Sequence, residues 1–67
     1  MIEITVNGVE ETIPAETTVA QLLERLALSG KRLAVECNGE IVPKGRHAGT
    51  VIVAGDRIEI VVAVGGG

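Results

Sequence analysis

Residues 54–67 read AGDRIEIVVAVGGG, and the fold turns on the middle of that stretch. Ile58, Ile60, Val62 and Val64 stand two apart, and Arg57, Glu59, Val61 and Ala63 fall between them. A period of two with one unbroken apolar face marks a strand half-buried in a sheet. A strand is therefore expected over residues 57–64, entered through a turn at Ala54-Gly55-Asp56 and followed by Gly65, Gly66 and Gly67. Its open face would carry Arg57, Glu59, Val61 and Ala63.

A matching strand lies at the other end of the chain. Ile2, Ile4 and Val6 share one face, with Glu3 and Thr5 on the other. Asn7-Gly8 follows, a pair that accepts positive φ at both central positions of a type I′ hairpin turn. Val9 to Ile13 is the return strand, and its Glu10 and Glu11 suit a sheet edge. Pro14 ends it by withholding an N–H. The period then becomes helical: Val19, Leu22, Leu23 and Leu26 stand at i, i+3, i+4 and i+7. Thr18 with Gln21 reads as a capping box. Ser29-Gly30 is the stop signal, with Lys31 and Arg32 just past the negative end of the dipole. The helix is placed at about residues 19–28. Leu33, Val35 and Cys37 then share a strand face, Asn38-Gly39 offers a second tight turn, and Glu40 to Val42 returns to Pro43. Residues 44–50 have no clear period and read as an irregular surface loop. Residues 51–53 fit either a fragment of strand or a helical turn.

One helix with one apolar stripe, and several strands with one apolar face each, have an economical solution. The stripe packs across a single face of the sheet, and the other face stays wet. The first and last strands have the most regular apolar faces and are expected side by side in the middle. As parallel neighbours they need a long crossover, which the residues between them supply. This is an α+β arrangement, a mixed sheet packed on one helix: the β-grasp, or ubiquitin-like, fold.

Composition agrees and narrows the function. A chain of 67 residues makes one domain, expected over residues 1–64 with a flexible glycine tail at 65–67. With one Cys and one His, an intramolecular disulfide is impossible and a Cys/His metal site is not expected. A net charge of −3 and no Phe, Trp or Tyr argue against nucleic acid, which needs clustered cations and stacking platforms. No apolar run approaches the ~20 residues that span a bilayer. No secretory leader is seen, and a single unpaired thiol fits a reducing cytoplasm.

Catalytic machinery is not expected either. His47 is the lone imidazole, set in a glycine-flanked loop with no local carboxylate to orient it, and reads as a surface histidine. Cys37 is in phase with Leu33 and Val35 and reads as a small inward-facing hydrophobe. Gly45, Gly49 and Gly55 match neither a Walker loop nor a dinucleotide fingerprint. The glycines that follow the last strand remain. Lacking a Cβ, such a tail can enter a narrow slot and lie extended against another protein's backbone. It ends in a carboxylate, the one acyl group of the chain that a partner could activate. Beside it, Arg57, Glu59, Val61 and Ala63, joined by Ala34, form a candidate docking face.

The whole sequence resembles the ThiS family of sulfur carrier proteins, which serve thiazole formation in thiamine biosynthesis. The resemblance is carried by "ITVNG", "TTVAQLLERL", "LAVECNGEIVPKGRHAGTVI" and above all "AGDRIEIVVAVGGG". It implies that Gly67 is adenylated by an E1-like adenylyltransferase of the ThiF type, which uses ATP, and is then converted to a thiocarboxylate. A cysteine desulfurase system would supply the sulfur, and a thiazole synthase of the ThiG type would receive it. Gly65 and Gly66 would thread into the partners. On this reading the chain is no enzyme and binds no cofactor. Two points depart from the family pattern: many relatives end in two glycines rather than three, and Cys37 is not a hallmark. Other sulfur carriers are close alternatives, namely the small subunit of molybdopterin synthase and a carrier for tRNA thiolation. A ubiquitin-like protein modifier is the alternative of another class.

Overall fold

The computed structural model describes residues 1–63. Its elements in chain order are β1 (Ile2–Val6), β2 (Val9–Ile13), α1 (Val19–Arg25), β3 (Leu33–Cys37), β4 (Glu40–Val42), a 3-10 turn (Lys44–Arg46) and β5 (Arg57–Val62). The sheet order is β2-β1-β5-β3-β4. β1 and β5 are parallel neighbours at its centre, with Val6 opposite Ile58, and the other pairings are antiparallel. This is the β-grasp arrangement. The alternating strands form it because their apolar sides, Ile4, Val6, Val35, Ile58 and Ile60, share one core with Val19, Leu22 and Leu23 of α1.

Both Asn-Gly pairs turn as their sequence requires, with φ of 51° and 82° at Asn7-Gly8 and 53° and 87° at Asn38-Gly39. The capping box forms: Gln21 N–H donates to Thr18 Oγ1 at 3.2 Å, and Thr18 N–H donates to Gln21 Oε1 at 2.9 Å.

The helix is shorter than its periodicity suggests. It stops at Arg25, and Ala27 takes a left-handed φ of 60°. Leu28 N–H donates to the Leu23 carbonyl at 2.8 Å and Ala27 N–H to the Glu24 carbonyl at 3.0 Å, the bonds of a Schellman cap. Leu28 packs on the core, and the cap closes before Gly30 is reached.

The supposed irregular loop is ordered by the helix start. The first amides of a helix have no partner of their own. Val19 N–H donates to the Thr50 carbonyl and Ala20 N–H to the His47 carbonyl, each at 2.9 Å. His47 is thereby buried rather than on the surface. Its Nε2 lies 3.0 Å from the Val42 carbonyl, and because a carbonyl only accepts, that nitrogen carries the proton. Residues 51–53 are neither strand nor helical turn: Val51 makes an isolated bridge to Thr18, and Ile52 plugs the core at 1% exposure. The last strand ends at Val62 among the described residues; Val64 and the expected tail at 65–67 lie outside them.

Candidate functional site

β5 sits in the middle of the sheet, and its two sides divide cleanly. Ile58 and Ile60 are buried, whereas Arg57, Glu59 and Val61 are exposed on the face away from α1. Ala34 stands directly opposite Val61 and is exposed. Ala63, one residue past the strand, is exposed and donates its N–H to the Arg32 carbonyl at 2.9 Å. The residues expected to form a docking face are thus brought together. Val61 and Ala34 make an apolar pair, Glu59 lies farther up the strand, and Arg57 stands at its start.

Two members of this face were not anticipated. Ile41 of β4 is 70% exposed and faces Glu36, which in turn faces Glu59. Val42 packs inward, so its strand neighbour Ile41 points out. The result is an apolar patch of Val61, Ala34 and Ile41 around two carboxylates in direct register. Like charges so placed are unfavourable in an isolated sheet, and Arg57 lines the same surface concavity.

Side chains reinforce β5 from its start to Ile60. Ile60 N–H donates to Asn7 Oδ1 at 2.7 Å, and Asn7 Nδ2 donates to the Ile60 carbonyl at 3.2 Å. The amide of Asn7 thereby continues the ladder past the end of β1. On the opposite side Arg57 N–H donates to Asn38 Oδ1 at 2.9 Å. Asn38 Nδ2 donates to Asp56 Oδ1 at 2.9 Å, and the other oxygen of this buried carboxylate accepts from Val53 N–H at 2.9 Å. The Asn-Gly signal announced the turns; nothing local announced what the amides would hold, because their partners lie 53 and 19 residues away.

Cys37 packs against the core as a half-buried thiol. Burial pushes its pKa above the ordinary 9.0, and the neighbouring Asp56 and Glu40 carboxylates push the same way. This is the opposite of the electropositive setting that makes a thiol reactive. Among the described residues no three His, Cys, Asp or Glu side chains are grouped to hold a metal ion. No helix among them is long and apolar enough to cross a membrane. Gly65, Gly66 and Gly67, the positions expected to carry the chemistry, lie outside the described residues.

Comparison with known proteins gives the following. The model of the ThiS family matches residues 1–67. A thiazole synthase of Paramagnetospirillum magneticum is 41% identical over 66 residues, and one of Magnetococcus marinus is 35% identical over 66. Each match covers 98% of this chain but 20% of the synthase, so the chain spans about a fifth of the length of these two relatives. The crystal structure of a thiamine biosynthesis protein, ThiS, from Geobacter metallireducens superposes with a TM-score of 0.84 at 30% identity. That likeness covers 98% of this chain and 100% of the other.

Proposed function

Because the chain belongs to the ThiS family, we propose that it is a sulfur carrier for thiazole formation in thiamine biosynthesis, loaded at the carboxylate of Gly67. The observation that carries this reading is the extent of the family match, which runs through residue 67 and so includes all three glycines after Val64. A main-chain carboxylate has a pKa of ~3.3–3.7, is ionised at neutral pH and is a poor electrophile. An adenylyltransferase joins it to the α-phosphate of ATP and releases pyrophosphate. A persulfide of a cysteine desulfurase system then attacks the carbonyl carbon, AMP leaves as the C–S bond forms, and a thiol cleaves the resulting acyl disulfide, which frees the thiocarboxylate and leaves a disulfide behind. The thiocarboxylate keeps sulfur nucleophilic without releasing sulfide. The bond-making groups belong to the partners; this chain is a protein-borne donor.

The open face of β5 and β3 serves as the handle, with Val61, Ala34, Ala63 and Ile41 as apolar contacts and Glu59 and Arg57 as polar ones. A patch of this kind beside a reactive terminus suits repeated docking with successive enzymes. The two long relatives support thiazole synthase as the receiver of the sulfur. In them a segment similar to this whole chain shares one polypeptide with the rest of a protein named thiazole synthase. Linking two modules raises the effective concentration of one for the other, an arrangement that favours domains working as a pair.

The test is intact-mass measurement after incubation with the cognate adenylyltransferase, ATP, a desulfurase with cysteine, and a thiol reductant. Exchange of one oxygen for one sulfur is expected, and transfer to thiazole synthase should restore the original mass. A ladder of conjugates would make the chain a protein modifier instead. An unchanged mass under conditions that load a known carrier would overturn the proposal.

A further inference from the structure

The cations of this acidic chain are not spread evenly. Five of the six, Arg25, Lys31, Arg32, Lys44 and Arg46, fall within residues 25–46. Lys31 and Arg32 follow α1, and Lys44 lies in the 3-10 turn. The fold brings these three to one cleft of about 480 Å3. Its apolar lining includes Leu23 and Leu28, and no Asp or Glu lines it. His47 backs the cleft, and its ring bond to the Val42 carbonyl ties it to the end of β4. Arg32 also receives the N–H of Ala63, so the cleft adjoins the point from which the chain runs on towards Gly67.

We propose that this cleft is a second docking site, which takes an acidic segment of the adenylyltransferase that activates Gly67. The proposal rests on the carrier reading above and adds a partner contact to it. Residues 64–67, fully extended, reach at most ~14 Å beyond Ala63. An enzyme that holds the carboxylate therefore lies within a short distance of the cleft, within range of unscreened charge at low salt. Three cations around a partly apolar, carboxylate-free cleft complement acidic side chains interspersed with an apolar anchor. The open face differs in character, an apolar patch around Glu36 and Glu59 with the single cation Arg57 at the start of β5. One partner surface with a basic and an acidic half would read both and fix the direction in which the tail enters.

The experiment compares the parent with the variant Lys31→Gln/Arg32→Gln/Lys44→Gln in ATP–pyrophosphate exchange by the cognate adenylyltransferase. Circular dichroism and the thermal midpoint check folding; all three side chains are exposed. The control is Arg25→Gln/Arg46→Gln, which removes cations that do not line the cleft. KM for the carrier is expected to rise about tenfold at low salt with kcat nearly unchanged, since complementary charge acts on encounter and register. The gap should close near 1 M salt, where the Debye length falls to ~3 Å. Equal KM values for variant and parent, a gap that ignores salt, or an equal loss in the control would overturn the cleft proposal and leave the carrier reading intact. A parent that supports no exchange would overturn the carrier reading itself, and the cleft proposal with it.

Discussion

Main-chain pairing holds β5 along its length, but side chains reinforce it only up to Ile60. From its start as far as Ile60, amide side chains reinforce the main-chain pairing from both flanks, Asn38 at Arg57 and Asn7 at Ile60, and Asp56 ties the preceding turn together. At its far end, Val61 pairs with Ala34 and Ala63 N–H meets the Arg32 carbonyl, a main-chain ladder under an exposed surface. The difference separates two tasks along one strand. Side-chain staples spend specific residues on stability where no partner needs to reach. Main-chain pairing leaves the side chains of the far end available to a partner. Changes at the start should therefore act on folding, and changes at the end on transfer.

The largest effect is expected beyond the far end. Deleting Gly67 leaves every described contact in place and still ends the chain in Gly65-Gly66. It withdraws the carboxylate by ~3.3–3.6 Å, one residue of extended chain. A misplacement of 1 Å can cost ~100-fold, so ATP–pyrophosphate exchange should fall by about 100-fold or more. The thermal midpoint should not move. Exchange at the parental rate would mean that the enzyme accepts any diglycine end, and a lowered midpoint would break the division between the two ends.

At the start of the strand the expectation reverses. Asn7→Ala removes a residue tolerant of left-handed φ, worth ~1–2 kcal/mol, and orphans the Ile60 main chain, worth ~1–3 kcal/mol. The sum, about 2–5 kcal/mol, is most of what a domain this small possesses. Asn7→Gly keeps the turn and isolates the amide, so it should cost only the second part. Urea denaturation of both variants separates the contributions. If Asn7→Gly is as stable as the parent, the amide bonds to Ile60 add nothing and the start of β5 is no better held than its end. Exchange per folded molecule should be unchanged in either variant.

The sequence is legible where structure follows from period and turn chemistry. β1, β2, β3 and β4 have the expected limits, the capping box closes, and Ile58 and Ile60 face the core as their alternation requires. It is silent where a side chain finds a distant partner. Asn7 could be read as a turn residue but not as a staple. His47 looked exposed because its burial depends on Val19 and Ala20 seeking carbonyls from residues 47 and 50. Of the candidate site, the face of Arg57, Glu59, Val61, Ala63 and Ala34 was legible because β5 alternates without a break. Ile41 was missed because its strand is only three residues long and no alternation accumulates.

A smaller effect sharpens the comparison by asking what an amide adds to a left-handed residue. Ala27 has φ of 60°, close to that of Asn7 and Asn38, but has no side-chain polar group to exploit it. The strain should be relieved by glycine, the usual residue at this position of a helix cap. Ala27→Gly is expected to stabilise the fold by about 0.5–1 kcal/mol, against the loss expected from Asn7→Gly. A destabilised Ala27→Gly would mean that the Ala27 methyl group contributes more than the strain costs.

The smallest effect is the alkaline loss of stability traced to Cys37, which pairs with Ile58 near the start of β5 and lies beside Asp56. A thiol is neutral when protonated, and its folded pKa lies above the ordinary 9.0 because burial disfavours the thiolate and Asp56 repels it. Below the ordinary value both folded and unfolded chains keep the proton, and stability does not depend on this group. As pH rises past 9.0 the unfolded thiol ionises first, so the unfolded state gains and folding stability declines until the folded thiol ionises in turn. Urea midpoints of the parent should therefore fall between neutral pH and about pH 10, still below the ordinary lysine value of ~10.4. Cys37→Ala should start lower at neutral pH, by about 1 kcal/mol for a small truncation, and lose less on the way up. Sulfur loading should survive the substitution, since the thiol is held protonated at the base of the strand whose other end leads to the chemistry. Parallel alkaline profiles would mean that Cys37 is solvated as freely as a surface thiol. Loss of loading in a folded variant would assign it a chemical part in transfer and end the separation of tasks along β5.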